Sequence, residues 1–146
     1  MDKLSPEMRS EVMGRVKGKH TDPELRVRKL LHRMGYRFRL HRNDLPGKPD
    51  IVLPRYRLCI FVNGCFWHQH PGCRRATIPS SNIEFWNKKL TRTQERDAQN
   101  IAELSTLDWN TLVIWECETK NTEELTEKIL AALEKKYAPN SFRSSP

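Results

Sequence analysis

The chain has 146 residues and a mass of 17.2 kDa, with 37% hydrophobic and 30% charged residues. This is the composition of a folded globular domain and excludes a disordered chain. No uninterrupted apolar run exceeds Leu58–Val62 in length, far short of the ~20 residues a membrane span needs.

Net charge is +8 with a pI near 9.6, and the surplus is uneven. Residues 1–42 carry twelve basic and five acidic groups (+7), residues 43–115 a net +2, and residues 116–146 a net −1. A basic N-terminal third suits a polyanion, most often nucleic acid, with an unliganded solvated face as the alternative. The opening MDKLSPEMRSEV is charged from its second residue and carries no apolar signal segment, so a cytoplasmic location is expected.

In chain order, Ser5-Pro6 followed by Glu7 to Lys17 predicts a short helix within a basic arm over 1–20, including Arg9, Arg15, Lys17 and Lys19. Thr21-Asp22-Pro23-Glu24 opens a second helix with Val27, Leu30, Leu31 and Met34 on its apolar face, stopped by Gly35. Tyr36–Leu40 predicts a strand. The turn-forming Asn43–Pro49 stretch then leads into a hairpin of Asp50–Leu53 and Leu58–Val62 around Pro54-Arg55-Tyr56. Residues 63–81 predict an irregular insertion, followed by a long helix, Asn82 to Leu107, with the stripe Ile83, Trp86, Leu90, Ile101 and Leu104. Trp109–Trp115 predicts a buried strand, Thr122 to Tyr137 an amphipathic helix, and 138–146 a frayed tail. With no repeat or interior linker, the expectation is a single α/β domain over 1–146, a mixed central sheet flanked by helices.

Chemistry concentrates in Gly64-Cys65-Phe66-Trp67-His68-Gln69-His70-Pro71-Gly72-Cys73. In a chain without export signals this spacing favours a metal over disulfides. Cys65, His70 and Cys73, closed by Cys117 after the Trp109–Trp115 strand, make a candidate structural zinc set, with His68 as the alternative imidazole ligand. Cys59 is most simply a core thiol.

Three acids stand out. Asp50 heads an apolar strand, Glu24 lies beside the Val27–Leu31 stripe, and Asp97 falls on the stripe of the long helix. An acid on a core-facing stripe needs a partner, an edge or a cation. Together the three offer oxygen ligands for one magnesium ion beside His68, whose imidazole can take or give a proton. A cationic protein with an acidic site suits phosphodiester hydrolysis. Phe66-Trp67 on a polar loop suit a wedge that unstacks bases, or a small apolar cluster covering the loop.

The string FVNGCFWHQHPGC, with PGKPD upstream and EFW, ERD and WEC downstream, resembles the very-short-patch repair (Vsr) DNA mismatch endonucleases from about Glu11 to Cys117. The resemblance implies a restriction-endonuclease-like PD-(D/E)xK core with a structural zinc loop. It implies nicking on the 5′ side of the thymine in T:G mismatches left by deamination of 5-methylcytosine within a methyltransferase's recognition sequence. It further implies Mg²⁺ at Asp50 and the Val62 backbone carbonyl, His68 as general base or acid, and Glu24 and Asp97 as organising acids. Zn²⁺ would sit at Cys65, His70, Cys73 and Cys117, and Phe66, Trp67 and Trp86 would form the DNA wedge. The implied partners are mismatched double-stranded DNA and, functionally, a cytosine-5 methyltransferase, with the chain acting as a monomer. Asn63 stands where some members have a second active-site histidine, and Pro71-Gly72 lengthens the gap from His70 to Cys73 by one residue. The alternatives are a related nuclease of this fold without mismatch selectivity and a non-catalytic zinc-stabilised DNA-binding module.

Overall fold

In the computed structural model the backbone is described for residues 21–144 and side chains for residues 21–134. The basic arm expected over 1–20 lies outside the described residues, as do Ser145 and Pro146. The elements are α1 (Asp22–Arg33), β1 (Arg39–Leu40), β2 (Ile51–Leu53), β3 (Leu58–Asn63), α2 (Ile83–Thr106), β4 (Asn110–Trp115) and α3 (Thr122–Ser144), with short 3₁₀ turns at Pro54–Tyr56 and Glu116–Lys120.

The four described strands form one mixed sheet in the order β1-β2-β3-β4. The hairpin read from the sequence is present, with β2 antiparallel to β3 and Ile51 opposite Ile60. β4 pairs parallel to β3 over six steps, from Leu58 opposite Asn110 to Asn63 opposite Trp115. Strand alternation then sorts side chains to two faces. Ile51, Leu53, Leu58, Ile60, Leu112 and Ile114 pack with Val27, Leu30 and Leu31 of α1 and Leu125, Ile129 and Leu133 of α3. Val52 and Cys59 face the other way, packing with Leu45, Leu104 of α2 and Trp109. The result is a sheet between helices, α1 and α3 on one face and α2 on the other.

Three features differ from the sequence expectation. Tyr36–Phe38 are not strand: Tyr36 and Phe38 pack onto the α1/α3 core while only Arg39 and Leu40 pair with β2. The stripe of α2 is buried at Leu90 and Leu104 but not at Ile83, which is 51% exposed. The first turns of α2 carry Trp86 against Phe66 and Trp67 of the insertion, so Ile83 has no sheet beneath it. The α3 backbone continues past Tyr137 to Ser144, through most of the segment expected as a tail. Cys59 is fully buried in the core, as expected, and burial pushes its thiol up to about 12. No described helix is long and apolar enough to cross a membrane.

Candidate active site

The carboxyl ends of β3 and β4 lie side by side, and the functional side chains gather there. Past β3, the insertion curls back on itself: His68 N–H donates to the Gly64 carbonyl, His70 N–H to Cys65 and Cys73 N–H to His70. These turns bring Cys65, His70 and Cys73 toward Cys117, which lies two residues beyond β4 in the Glu116–Lys120 turn. One ligand atom from each of the four lies within 4.8 Å of the others. Tetrahedral zinc with Zn–S of about 2.3 Å and Zn–N of about 2.0 Å sets an S···N edge of about 3.6 Å. His70 Nδ1 stands 3.7 Å from Cys65 Sγ and 3.5 Å from Cys117 Sγ. The donor set and its spacing therefore fit zinc, and His70 rather than His68 completes it. His70 also stacks on Trp115, ring centroids 4.3 Å apart and planes 12° off parallel, which fixes the imidazole plane. Burial pushes the Cys65 thiol up, and zinc binding at this cluster would release its proton.

Beside this cluster opens a cleft of about 1050 Å³ lined by Glu24, Asp50, His68 and Asp97. The four are not arranged as one trio of acids with a neighbouring imidazole. Two acid–imidazole pairs are present instead, Asp97 with His68 and Glu24 with His41, and Asp50 belongs to neither.

In the first, Asp97 on α2 holds His68, with Oδ2 2.6 Å from Nδ1. The stripe position of Asp97 is explained by this partner rather than by a cation shared with Glu24 and Asp50. In the second, Glu24 Oε2 lies 2.9 Å from His41 Nε2 and 3.3 Å from an Arg28 terminal nitrogen. Glu24 sits in the first turn of α1, where its backbone N–H donates to the Thr21 side chain and the helix N-terminus favours its charge. At 1% exposure it is the most deeply buried described acid. One ligand atom from each of Glu24, His41 and Asp50 lies within 4.8 Å of the others.

His41 is the functional candidate that the sequence reading missed. Its signal lies in the register: Arg39 faces Val52 and Leu40 faces Ile51, so one further step brings His41 opposite Asp50. The hydrogen bond from His41 N–H to the Asp50 carbonyl makes that step.

Asp50 stands at the entrance to β2 with its Oδ2 accepting from the Val62 backbone N–H at 2.8 Å. Burial raises its carboxyl to about 6; Glu24 adds to the rise, while the Val62 hydrogen bond and nearby His41 and His68 oppose it. The turn delivering Asp50 contains Gly47 at φ +77°, where a Cβ would stand 2.9 Å from the Asn100 side-chain nitrogen. Only glycine accepts both that conformation and that approach to α2. Asn63 is buried at the end of β3 and lines the cleft.

The rim is cationic: Arg26, Lys48, Arg75, Lys89, Arg96 and Lys120 line the same cleft. Arg75 also pairs with Glu116 at 3.2 Å, tying the insertion to the segment that follows β4. Phe66, Trp67 and Trp86 form one aromatic cluster, with centroid separations of 5.0, 5.6 and 6.0 Å, and Phe66 and Trp67 face the cleft. Phe85 extends it, 5.3 Å from Trp86 and 57% exposed.

A family profile described as DNA mismatch endonuclease Vsr matches residues 1–75. The type II nicking enzyme V.XorIIP of Xanthomonas oryzae is 48% identical over 128 residues, covering 88% of this chain and 93% of that protein. V.NmeAIP of Neisseria meningitidis, also a type II nicking enzyme, is 41% identical and covers 88% and 91%. The DNA mismatch endonuclease Vsr of Escherichia coli is 39% identical and covers 84% and 78%.

Two tests follow from the geometry. Cys65→Ser is expected to lower the zinc content of the purified protein and its stability, by at least about 2 kcal/mol. Cys59→Ser, equally buried but outside the cluster, is expected to keep the zinc. Retention of zinc and stability in Cys65→Ser would exclude it as a ligand. The second test concerns pH. Because the folded-state carboxyl of Asp50 titrates near 6, above the unfolded value of about 3.9, its contribution to stability is lost as pH rises through that window. Asp50→Asn with zinc retained and no added magnesium is therefore expected to be more stable than the wild type at pH 7.5, by roughly 1–3 kcal/mol, the gap narrowing toward pH 5. Denaturant melts that place Asp50→Asn below the wild type at every pH would contradict this.

Proposed function

The chain belongs to the Vsr DNA mismatch endonuclease family, and from that membership we propose that it nicks double-stranded DNA at T:G mismatches. In this reading the cut falls on the 5′ side of the thymine, where 5-methylcytosine has deaminated within the recognition sequence of a cognate cytosine-5 methyltransferase. The protein works in the cytoplasm as a monomer. The observation that carries the reading is one cleft lined by Glu24, Asp50 and the His68–Asp97 pair together with Arg and Lys side chains and the aromatics Phe66 and Trp67.

The strand arrangement supports reading the core as the restriction-endonuclease type. An antiparallel hairpin carries Asp50 at its head, and a parallel strand flanks it. The donor set suits magnesium, which prefers oxygen and keeps several waters. The Asp50 carboxylate and the Val62 carbonyl would hold it, and Glu24 would orient water. Bound there, magnesium supplies the positive charge that polarises the scissile phosphate and stabilises the leaving oxygen.

The side chains do the rest. Asp97 accepts the Nδ1 proton of His68, which leaves Nε2 as the acceptor on the cleft side. From that atom His68 takes a proton from the attacking water, while Asp97 stabilises the imidazolium that results. Arg28 and His41 hold Glu24 in one orientation. The rim cations neutralise the approaching backbone. The aromatic cluster enters the duplex beside the mismatch, where poor pairing lowers the cost of unstacking by a few kcal/mol. The naming of two relatives as nicking enzymes supports a cut in one strand.

The direct test is magnesium-dependent cleavage of matched and mismatched duplexes at one fixed salt concentration. Nicking is expected on T:G and not on T:A, to vanish in Asp50→Ala while binding to the mismatched duplex persists, and to lose its T:G preference in Trp67→Ala. Equal cleavage of T:A would favour a plain nuclease of this fold. Undiminished nicking by Asp50→Ala would remove the proposed metal site.

A further inference from the structure

The face of α1 that borders the cleft continues beyond it. Arg26, Lys29 and Arg33 recur at spacings of three and four, which places them on one side of the helix. At a rise of about 1.5 Å per residue they span about 10 Å along its axis. Arg26 lines the cleft, while Lys29 and Arg33 border a depression of about 510 Å³ at the other end of the helix. That depression shares His32 and Phe38 with a pocket of about 640 Å³, to which Arg37, Arg39 and Arg55 contribute. The active-site cleft has acids on its floor, but no acidic residue lines either of these two pockets among the described residues.

Arg28, Arg42 and Arg75 each meet a carboxylate, and Arg57 donates to the Leu107 and Asp108 carbonyls. Lys29, Arg33, Arg37, Arg39 and Arg55 are all exposed, and no described carboxylate pairs with them. A cationic residue on an edge strand such as β1 is commonplace, since it discourages strand pairing with other chains. Edge protection does not account for a cationic surface that extends along a helix and over the Pro54–Tyr56 turn.

We propose that this surface, from the cleft along α1 to the pocket beside β1, binds the phosphodiester backbone of the duplex flanking the cut site. It follows the helix face that begins at Arg26 of the cleft, and beyond the cleft no described acid lines its pockets, which suits the evenly spaced charge of a nucleic-acid backbone. Its contacts are to phosphate, so they add affinity without sequence preference. The proposal rests on the DNA-endonuclease reading but is measured as a difference between two substrates. Nicking of the shorter one by the wild type tests that reading separately.

The experiment compares two T:G duplexes without added magnesium. One is a hairpin-closed duplex with about four base pairs on each side of the mismatch, and the other is extended on both flanks by about one helical turn. The dependence of log K on log salt should be steeper for the wild type on the extended duplex. Arg33→Ala, Arg37→Ala and Arg39→Ala combined should lower that slope by up to about 0.9 per lost phosphate contact. The same variant should leave binding to the short duplex unchanged, and Arg→Lys at the three positions should restore the slope because a point charge suffices. An unchanged slope on the extended duplex, or an equal loss on both, would overturn the proposal. Loss of polyglutamate binding with the DNA slope intact would also overturn it, in favour of an acidic protein partner.

Discussion

The parallel pairing of β3 with β4 is the constraint on which the rest of this structure depends. It holds the strands in register over six residue pairs and ends both at the same edge, with Asn63 beside Trp115. Parallel neighbours need a crossover, and here the crossover contains both the cysteine-bearing insertion and α2. The insertion therefore leaves from one strand end and meets Cys117 just past the other. α2 returns across the sheet face and brings Asp97 to His68. One topological requirement thus explains the cysteine–histidine cluster and the acid–imidazole pair, consistent with the tendency of α/β sheets to bind ligands beyond the carboxyl ends of their strands.

The electrostatics follow from the same placement. Asp50 enters β2 beside the end of β3, where the Val62 N–H stabilises its negative charge and burial opposes it. Burial is the larger effect, so the ionised carboxylate is held at a cost that a divalent cation would relieve. Glu24 is more deeply buried, but His41 and Arg28 stand within ion-pair distance. Two acids a short distance apart therefore have different surroundings: Glu24 has the Arg28 guanidinium at ion-pair distance, and Asp50 has the Val62 backbone N–H. That asymmetry favours Asp50 as the acid that takes a cation.

Much of this was legible in the sequence because local spacing carried it. The hairpin, α1 and its Thr21 cap, and the cysteine–histidine set are all read from residues a few positions apart. Cys117 could be added because it follows a recognisable buried strand. What was not legible depends on register and on long-range docking. The stripe position of Asp97 called for a partner but not for His68 in particular, since that pairing requires the crossover to return over the strand ends. His41 stands outside any motif, and only its place opposite Asp50 gives it meaning. Ile83 kept the helical period yet is exposed, because periodicity alone does not tell where a helix overhangs its sheet. Phe85 belongs to no apolar stripe and emerges only through its ring contact with Trp86.

The most direct test of the central claim is a crystal structure of the protein with a T:G duplex and calcium, which occupies oxygen sites while slowing hydrolysis. The account predicts a cation within about 2.6 Å of the Asp50 carboxylate and the Val62 carbonyl, and His68 Nε2 facing the phosphate on the 5′ side of the thymine. It also predicts that Asp97 still holds Nδ1. A cation bound away from Asp50, or an imidazole turned from the phosphate with the cation in place, would contradict it.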